Sequence, residues 1–375
     1  MGNNNKDEEF RFPFSSFVGS RIGNFLQIAF RCGFDLKYTR RAILSLIIAI
    51  ILEPFRWINR GIRYFTMPRG KKAAPPWFIV GYWRSGTTLM HQLLSEDPEF
   101  YFVSTFQTIF PELMFFQRPL KWVVQFFMPR RRPVDHLRLS LDDAQEEEIA
   151  LANLFPYSFY HFLYFPNDYE NSRDRSLYLE KMPPKRKRRW LRVYNRMILD
   201  AQKNKGGKRL LSKSPANTFR IKQLKEYYPG SKFIYLYRDP YSVLSSLNLF
   251  FTEVVKGVGF REIPNDEFNR CLLDLFIRMD EEYEKVKDDI GAENLIEIRF
   301  EDFIKSPLNT ILNIYERFGE TPSDELVNKI KERLSEYKGH KPGHYSIPPE
   351  IISLVNENLE DYLNKRGYGI VGSRQ

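Results

Sequence analysis

The stretch from Gly81 to Thr88 has the composition of a loop that binds phosphate. It reads Gly-Tyr-Trp-Arg-Ser-Gly-Thr-Thr and follows a short apolar run that begins at Trp77 and predicts a β-strand. Residues 88–94 have helical spacing, so the order is strand, loop and helix. Backbone N–H groups in such a loop and the positive end of the helix together hold anions. The sequence therefore predicts a phosphate cradle between Gly81 and Thr88.

The cation of this loop is not where nucleoside triphosphatases and kinases place theirs. Those proteins have Lys directly after the second glycine, whereas Thr87 stands there in this chain and Arg84 comes two residues before Gly86. The difference argues against an ATP-dependent P-loop kinase. That function stays open as an alternative, which a magnesium requirement would support.

Arg238 and Ser246 form a second candidate anion site. Residues 232–237 predict a strand that ends at Arg238, and a helix from about Tyr241 places Ser246 about two turns along. An arginine where a strand ends suits a bound phosphate. The plainer interpretation is a turn ion pair between Arg238 and Asp239, with Pro240 opening the helix.

Together the two motifs resemble the sulfotransferase family, with closest likeness to its bacterial branch over about residues 75–368. Arg84-Ser-Gly-Thr-Thr resembles the family's 5′-phosphosulfate loop, and Arg238-Asp-Pro with Ser246 eight residues after the arginine resembles its 3′-phosphate motif. The resemblance implies transfer of a sulfuryl group from 3′-phosphoadenosine 5′-phosphosulfate (PAPS) to an acceptor hydroxyl, without a metal and with the 3′,5′-bisphosphate PAP as product. It assigns the donor to these residues: Arg84, Ser85, Gly86, Thr87, Thr88, Arg238 and Ser246. Both motifs must then meet at one edge of the sheet to hold a single nucleotide.

Lys213 is a candidate for stabilising charge in the transition state. Ser212-Lys213-Ser214-Pro215 resembles a segment of several sulfotransferase branches in which the lysine faces the transferred group. A cation there, like the catalytic Arg84, offsets charge that builds on the bridging oxygen. A basic loop near the C-terminus adds Lys341 as a candidate ligand of the 3′-phosphate.

The acceptor hydroxyl must lose its proton during transfer, which calls for a general base. The segment from Asp142 to Leu151 resembles an acidic segment of the bacterial branch and favours Glu146, with Glu148 as the alternative. His136 is a third candidate, and Glu112 a substitute for a glutamate that some relatives have soon after the loop helix. Three successive glutamates are typical of an exposed helix start, where acid suits the positive helix end.

The elements that position these residues alternate between strand and helix. Strands are predicted at 77–81, 209–213, 232–237 and 294–299, with helices near 218–228, from 241, and at 307–318, 324–337 and 349–365. The expected fold is α/β, with a P-loop-like parallel sheet flanked by helices. Residues 1–74 are predicted to form an N-terminal helical appendage, and residues 75–375 the sulfotransferase domain. Within it, about 100–208 forms a helical, aromatic-rich lid insertion.

Composition bears on the partners. Lys and Arg exceed Asp and Glu by 57 to 47, giving a net charge of +10 that suits nucleotides or an anionic membrane. The basic run 185–189 belongs to an amphipathic helix whose charged side is solvated, so no nucleic-acid partner is expected. The two cysteines are far apart, which fits a cytoplasmic protein without disulfides.

Residues 42–52 are apolar for eleven positions, ended by Glu53 and Pro54, short of the ~20 residues that a membrane span needs. Their basic and aromatic flanks fit a helix lying in the membrane interface as well as a buried helix. Peripheral contact with the inner face of the membrane is therefore an expectation. With the aromatic lid it favours a lipophilic acceptor, a sterol or lipid. A saccharide acceptor and a membrane-surface adaptor with a vestigial nucleotide fold are the alternatives.

Overall fold

The computed structural model describes residues 15–66, 70–127, 140–336 and 347–372. The candidates His136 and Lys341 lie outside these residues.

A parallel sheet forms the centre of the described chain. Its strands are β1 (Trp77–Gly81), β2 (Phe100–Tyr101), β3 (Arg209–Lys213), β4 (Lys232–Tyr237) and β5 (Leu295–Arg299), in the order β2-β3-β1-β4-β5. Each neighbouring pair is parallel, and Gly81 at the end of β1 is in register with Leu236 near the end of β4. The carboxyl ends of β1, β3 and β4 therefore lie at one edge, where ligands bind in open α/β sheets.

Helices cover both faces of this sheet, as the alternating pattern predicted. Phe78 and Val80 of β1 belong to one apolar cluster, whereas Trp77 and Ile79 belong to another on the opposite face. The described helices are α1 (Ile22–Cys32), α2 (Thr39–Thr66), α3 (Thr87–Leu94), α4 (Thr105–Ile109), α5 (Gln117–Phe127), α6 (Glu147–Leu154), α7 (His161–Tyr164), α8 (Tyr169–Ser176), α9 (Pro184–Lys205), α10 (Ile221–Tyr227), α11 (Pro240–Val258), α12 (Asn265–Ile290), α13 (Phe300–Lys305), α14 (Pro307–Arg317), α15 (Asp324–Glu336), α16 (Pro349–Asn358) and α17 (Glu360–Arg366).

Several predicted elements need correction. The region 100–208 is not purely helical, because it opens with β2, which pairs with β3 at the edge of the sheet. A two-residue strand is too short to show alternation, so only its pairing reveals it. The single helix predicted over 349–365 is two helices that break at Leu359, and α12 was not predicted at all.

Helix α2 also departs from expectation. The apolar run ends before Glu53, but the helix continues through Pro54 to Thr66. Pro54 removes one backbone hydrogen bond. Arg56 Nη1 donates to the Ala49 carbonyl at 2.8 Å, about two turns earlier in the helix.

The amphipathic helix predicted around 185–198 is confirmed as α9. Trp190, Leu191, Tyr194 and Ile198 are buried, while most of the basic run 185–189 is exposed. The N-terminal residues pack against the loop that follows β1, since Phe17 and Phe25 share an apolar cluster with Tyr82. Cys32 and Cys271 are both free thiols.

Candidate active site

The loop between β1 and α3 is wound tightly enough to expose its backbone to an anion. Gly86 has a left-handed φ of 89° and caps α3 without a side-chain hydrogen bond. A Cβ added there would overlap the ring of Phe300. Among the described residues, Arg84 is the non-glycine residue with a positive φ, at 65°. The buried Ser85 hydroxyl donates to the Tyr82 carbonyl and fixes the turn. This conformation leaves the start of α3 without a capping side chain, which suits a bound anion.

The two predicted anion motifs meet. Arg84 Nε donates to Ser246 Oγ at 2.8 Å, and Arg238 Nη1 donates to the Arg84 carbonyl at 3.0 Å. They meet because β1 and β4 are neighbours and end in register, so the loop after one strand lies beside the first residue after the other.

Two guanidinium groups are thereby gathered on one side of the loop. Burial lowers the pKa of Arg238, Glu301 opposes that shift, and the charge of Arg84 adds to it. The Arg238 guanidinium also lies 4.3 Å from the centroid of the Phe300 ring. An anion at this point would relieve the repulsion between the two arginines.

Lys213 and Glu146 form an ion pair beside the start of α3. Lys213 Nζ lies 2.5 Å from Glu146 Oε1 and 3.5 Å from Thr88 Oγ1. The lysine is the last residue of β3, so its side chain leaves the sheet at the same edge as the loop. Glu146 is the N-cap residue of α6, and its side chain is 13% exposed, against 3% for Lys213. The structure thus brings three segments of the predicted site together.

Tyr160 and Trp83 complete this network, and sequence reasoning assigned neither a role. The Tyr160 hydroxyl donates to Glu146 Oε2 and accepts a hydrogen bond of 2.7 Å from Trp83 Nε1. Burial and the nearby Glu146 carboxylate raise the pKa of Tyr160 well above its ordinary value, so it remains a neutral donor. Trp83 lies in the phosphate-binding loop itself, and this position is the sequence signal that could have assigned it to the site. Tyr160 is one of many rings in an aromatic region, and nothing in its spacing distinguishes it.

The neighbouring glutamates are buried, contrary to the exposed helix start that was expected. Glu148 Oε2 accepts from Arg220 Nη1 at 2.6 Å, and Glu148 Oε1 accepts from the Phe159 backbone at 2.7 Å. Burial alone would raise the pKa of Glu148, but Arg220 brings it below the ordinary value. A carboxylate saturated in this way is a poor proton acceptor, so the geometry favours Glu146 over Glu148 as base.

Glu147 has a different environment. It is fully buried, its Oε1 accepts from the Lys213 backbone N–H at 3.3 Å, and its Oε2 has no hydrogen-bond partner. Burial raises the pKa of Glu147 to about 8. The side chain is therefore a neutral acid near pH 7, and it contacts the backbone of Lys213 at the end of β3.

Glu112 is not positioned as a base. Arg21 Nη2 and Arg60 Nη2 lie 2.6 and 2.9 Å from its carboxylate oxygens. Burial would raise the pKa of Glu112, but these two arginines lower it to about 2. Glu112 instead joins α1 and α2 to the rest of the chain.

The aromatic residues of the region 155–166 pack on one another. Phe159 stacks on Phe162 with ring centroids 5.5 Å apart, and Phe162 stacks on Phe268 at 5.5 Å. These rings are core, and a role for them in lining an acceptor pocket stays a prediction. Tyr160 is the aromatic residue of this region that bonds to Glu146, and Trp83 is linked to Glu146 only through the Tyr160 hydroxyl.

The site thus combines a candidate anion cradle with a lysine–glutamate pair at the strand ends of a parallel α/β sheet, where ligands bind in such folds. The sequence profile of the sulfotransferase family matches residues 75–324. The chain belongs to the sulfotransferase family, and it is a sulfotransferase.

Relatives in sequence and in fold agree with this assignment. The omega-hydroxy-beta-dihydromenaquinone-9 sulfotransferase Stf3 of Mycobacterium bovis is 26% identical over 299 residues, which cover 79% of this chain and 76% of the relative. The protein of the same name from Mycobacterium tuberculosis gives the same values. In fold, the chain is similar to sulfotransferase STF9 from Mycobacterium avium, with a TM-score of 0.66 at 15% identity over 94% of this chain and 98% of that one. Sulfotransferase STF1 from Mycobacterium tuberculosis gives 0.62 at 17% identity, over 90% of each chain.

Proposed function

We propose that the protein transfers a sulfuryl group from PAPS to the hydroxyl of a lipophilic acceptor, a lipid or sterol alcohol. The observation that carries the proposal is the meeting of Arg84, Arg238 and Ser246 at the sheet edge where Lys213, the last residue of β3, pairs with Glu146. When bound, PAPS supplies an activated sulfuryl group on its 5′-phosphate.

The residues present fit a donor that is phosphorylated at both ends. The loop 84–88 offers a helix start without a capping side chain, a cation and hydroxyl groups, which suit the 5′-phosphosulfate. Arg238 and Ser246 offer a guanidinium and a hydroxyl for the 3′-phosphate. The close approach of Phe300 to Gly86 keeps the loop in this conformation.

Glu146 accepts the proton of the acceptor hydroxyl in this proposal. Tyr160 holds one carboxylate oxygen, so the other, now paired with Lys213, is the oxygen available to the acceptor. Once Glu146 is protonated, the charge of Lys213 is no longer balanced by its partner. Lys213 would then stabilise the negative charge left on the donor's bridging oxygen when its bond to sulfur breaks and the sulfur bonds to the acceptor oxygen.

Two observations support a lipophilic acceptor. The Mycobacterium bovis relative is named for a hydroxylated menaquinone derivative. In this chain the surroundings of Glu146 include the buried rings of Trp83 and Tyr160, which exclude water and favour an apolar substrate body.

The test is a transfer assay with ³⁵S-labelled PAPS and purified full-length protein. Acceptors are presented as three sets: hydroxylated polyprenyl quinols, sterols and saccharides, the first two in detergent micelles. We expect label in the lipid or sterol product and none in the saccharides. Transfer to saccharides alone would overturn the proposed acceptor class while leaving the sulfotransferase assignment in place.

The kinase alternative is tested in the same assay by replacing PAPS with γ-³²P-labelled ATP and magnesium. Since Thr87 stands where a kinase has its lysine, we expect no transfer of phosphate. Binding of PAPS without turnover on any acceptor would instead support the adaptor alternative.

A further inference from the structure

The outward face of helix α2 is apolar along almost its whole length. At 100° per residue, its exposed positions cover about half the helix circumference, and no charged side chain lies among them between Ile43 and Phe65. The large exposed residues, each at least 41% exposed, are Ile43, Ile47, Ile50, Ile51, Phe55, Trp57, Ile58, Tyr64 and Phe65. A helix on the surface of a protein in water shows the opposite distribution.

Polar side chains of α2 point inward instead. Arg56 is 1% exposed and reaches the Ala49 and Val18 carbonyls. Asn59 is fully buried and accepts from the Phe115 backbone at 3.2 Å, and Arg63 lies 2.8 Å from Asp200 of α9. These contacts fix the rotation of the helix, so the apolar face cannot turn into the core without breaking them.

Helix α5 adds apolar residues beside α2. Its Leu120 and Val124 pack in the same small apolar cluster as Ile48 and Leu52 of α2, and the ring centroid of Phe116, just before α5, lies 5.2 Å from that of Phe55 on α2. Trp122 is 80% exposed and Phe126 85%.

The charge around this face is positive. Arg56, Arg60 and Arg63 are ion-paired on the inward side of α2 and do not contribute to this charge. Lys37, which is paired with Glu262, and Arg40 are exposed at the start of the helix, and Lys71 and Lys72 are exposed just after its end. Exposed Trp and Tyr with flanking Lys and Arg are the side chains that favour a membrane interface.

We propose that the outward faces of α2 and α5 form a docking surface for an anionic lipid bilayer, with α2 lying in the plane of the interface. The described chain has one helix long and apolar enough to cross a membrane, Leu36–Thr66. Crossing would carry Arg56, Asn59, Arg63 and the protein groups that they bind into hydrocarbon, where charged groups are costly. A helix in the interface keeps these contacts on the protein side and buries only the apolar face.

A bilayer suits this surface better than a second copy of the chain. Two copies related by a two-fold axis would bring positively charged ends together, which opposes association. An anionic bilayer attracts the same charges. Lys121 of α5 pairs with Asp142 at 2.5 Å, which joins α5 to the segment that leads to Glu146.

The test is flotation of the full chain with vesicles of phosphatidylcholine alone or with about 30% phosphatidylglycerol. We expect binding to the anionic vesicles, weakened at least about tenfold by the double substitution Ile47→Glu, Ile51→Glu. Ile304→Glu, at a position that is 43% exposed on α13, is the matched control and should bind like the wild type. Each variant is checked for wild-type circular dichroism and melting temperature.

Depth and self-association complete the test. The fluorescence of Trp57 is obtained as the difference between the wild type and Trp57→Phe. Lipids brominated near the headgroup should quench this fluorescence more strongly than lipids brominated at the bilayer centre. Stronger quenching from the centre would contradict an interfacial helix. Absence of vesicle binding, or a dimer in ultracentrifugation that the double substitution dissociates, would overturn the proposal. None of these readouts depends on the identity of the acceptor.

Discussion

Arg84 Nε donates to Ser246 Oγ at 2.8 Å, although 162 positions of sequence separate the two residues. The contact joins the loop after β1 to the second turn of α11. It exists because β1 and β4 are adjacent parallel strands that end at the same level. One ligand can therefore reach both groups of anion-binding residues.

Arg238→Ala should weaken binding of PAP by about 10- to 100-fold, because a charge-assisted contact to the 3′-phosphate is lost. Binding of AMP, which lacks that phosphate, should change by less than about threefold. Isothermal titration calorimetry measures both. Arg317→Ala, an exposed arginine on α14, is the control. Equal losses for PAP and AMP would contradict the assignment of Arg238.

Glu146→Gln should lower kcat by about 10²- to 10⁴-fold, the usual contribution of a general base. Binding of PAP should stay within a few-fold of the wild type, since Lys213 and the loop remain. Steady-state sulfation and calorimetry on the same sample separate the two effects. Asp142→Asn, at an exposed carboxylate four residues away, should keep wild-type kcat. A Glu146→Gln enzyme with more than a tenth of wild-type kcat would exclude this base.

Gly86→Ala should lower the free energy of unfolding by about 2–4 kcal/mol. The added Cβ overlaps the Phe300 ring, and alanine is strained at a φ of 89°. Urea denaturation provides the measurement. Gly61→Ala is the matched control: Gly61 lies inside α2 with open space around it, so alanine should stabilise the chain by about 0.5–1 kcal/mol. Similar effects at both glycines would show that the loop is less tightly packed than described.

Glu147→Gln should change the dependence of stability on pH. Burial raises the pKa of Glu147 from 4.5 to about 8, so the folded chain holds a proton that the unfolded chain releases above about pH 4.5. This stabilising contribution is complete below pH 4.5 and is lost as the pH rises to about 8. Relative to Glu147→Gln, the wild type should therefore lose roughly 2–4 kcal/mol between pH 5 and pH 8.5.

Chemical denaturation at pH 5, 7 and 8.5 measures this loss. Glu148→Gln is the comparison, because it leaves Arg220 buried without its charged partner and should destabilise the chain at all three pH values by about 3–5 kcal/mol. Parallel pH profiles for wild type and Glu147→Gln would show that Glu147 is ionised in the folded chain.

The local structure around the donor site could be predicted from the sequence. Strands β1, β3 and β4 have the predicted bounds, and the glycines of the loop and Pro240 at the start of α11 mark the boundaries of their elements. The missed helix α12 did carry a signal, since its buried Leu272, Phe276, Met279 and Tyr283 have helical spacing. These features depend on backbone preferences and apolar periodicity, which act over a few residues.

Other features were decided by tertiary structure alone. Glu146, Glu147 and Glu148 are the same residue type in succession, but their environments differ. Glu146 pairs with Lys213, burial keeps Glu147 neutral, and Glu148 pairs with Arg220. The charged partners Lys213 and Arg220 lie at least 67 positions away, so no local pattern distinguishes the three.

The sequence by itself determined four of the described strands, the loop and the spacing of Arg238 and Ser246, because short-range sterics and hydrophobic periodicity are properties of neighbouring residues. Only the tertiary structure decided which face of α2 is outward and which glutamate reaches the site. Burial of a side chain depends on what packs against it, and a helix has the same hydropathy pattern whether its apolar face meets protein, lipid or water.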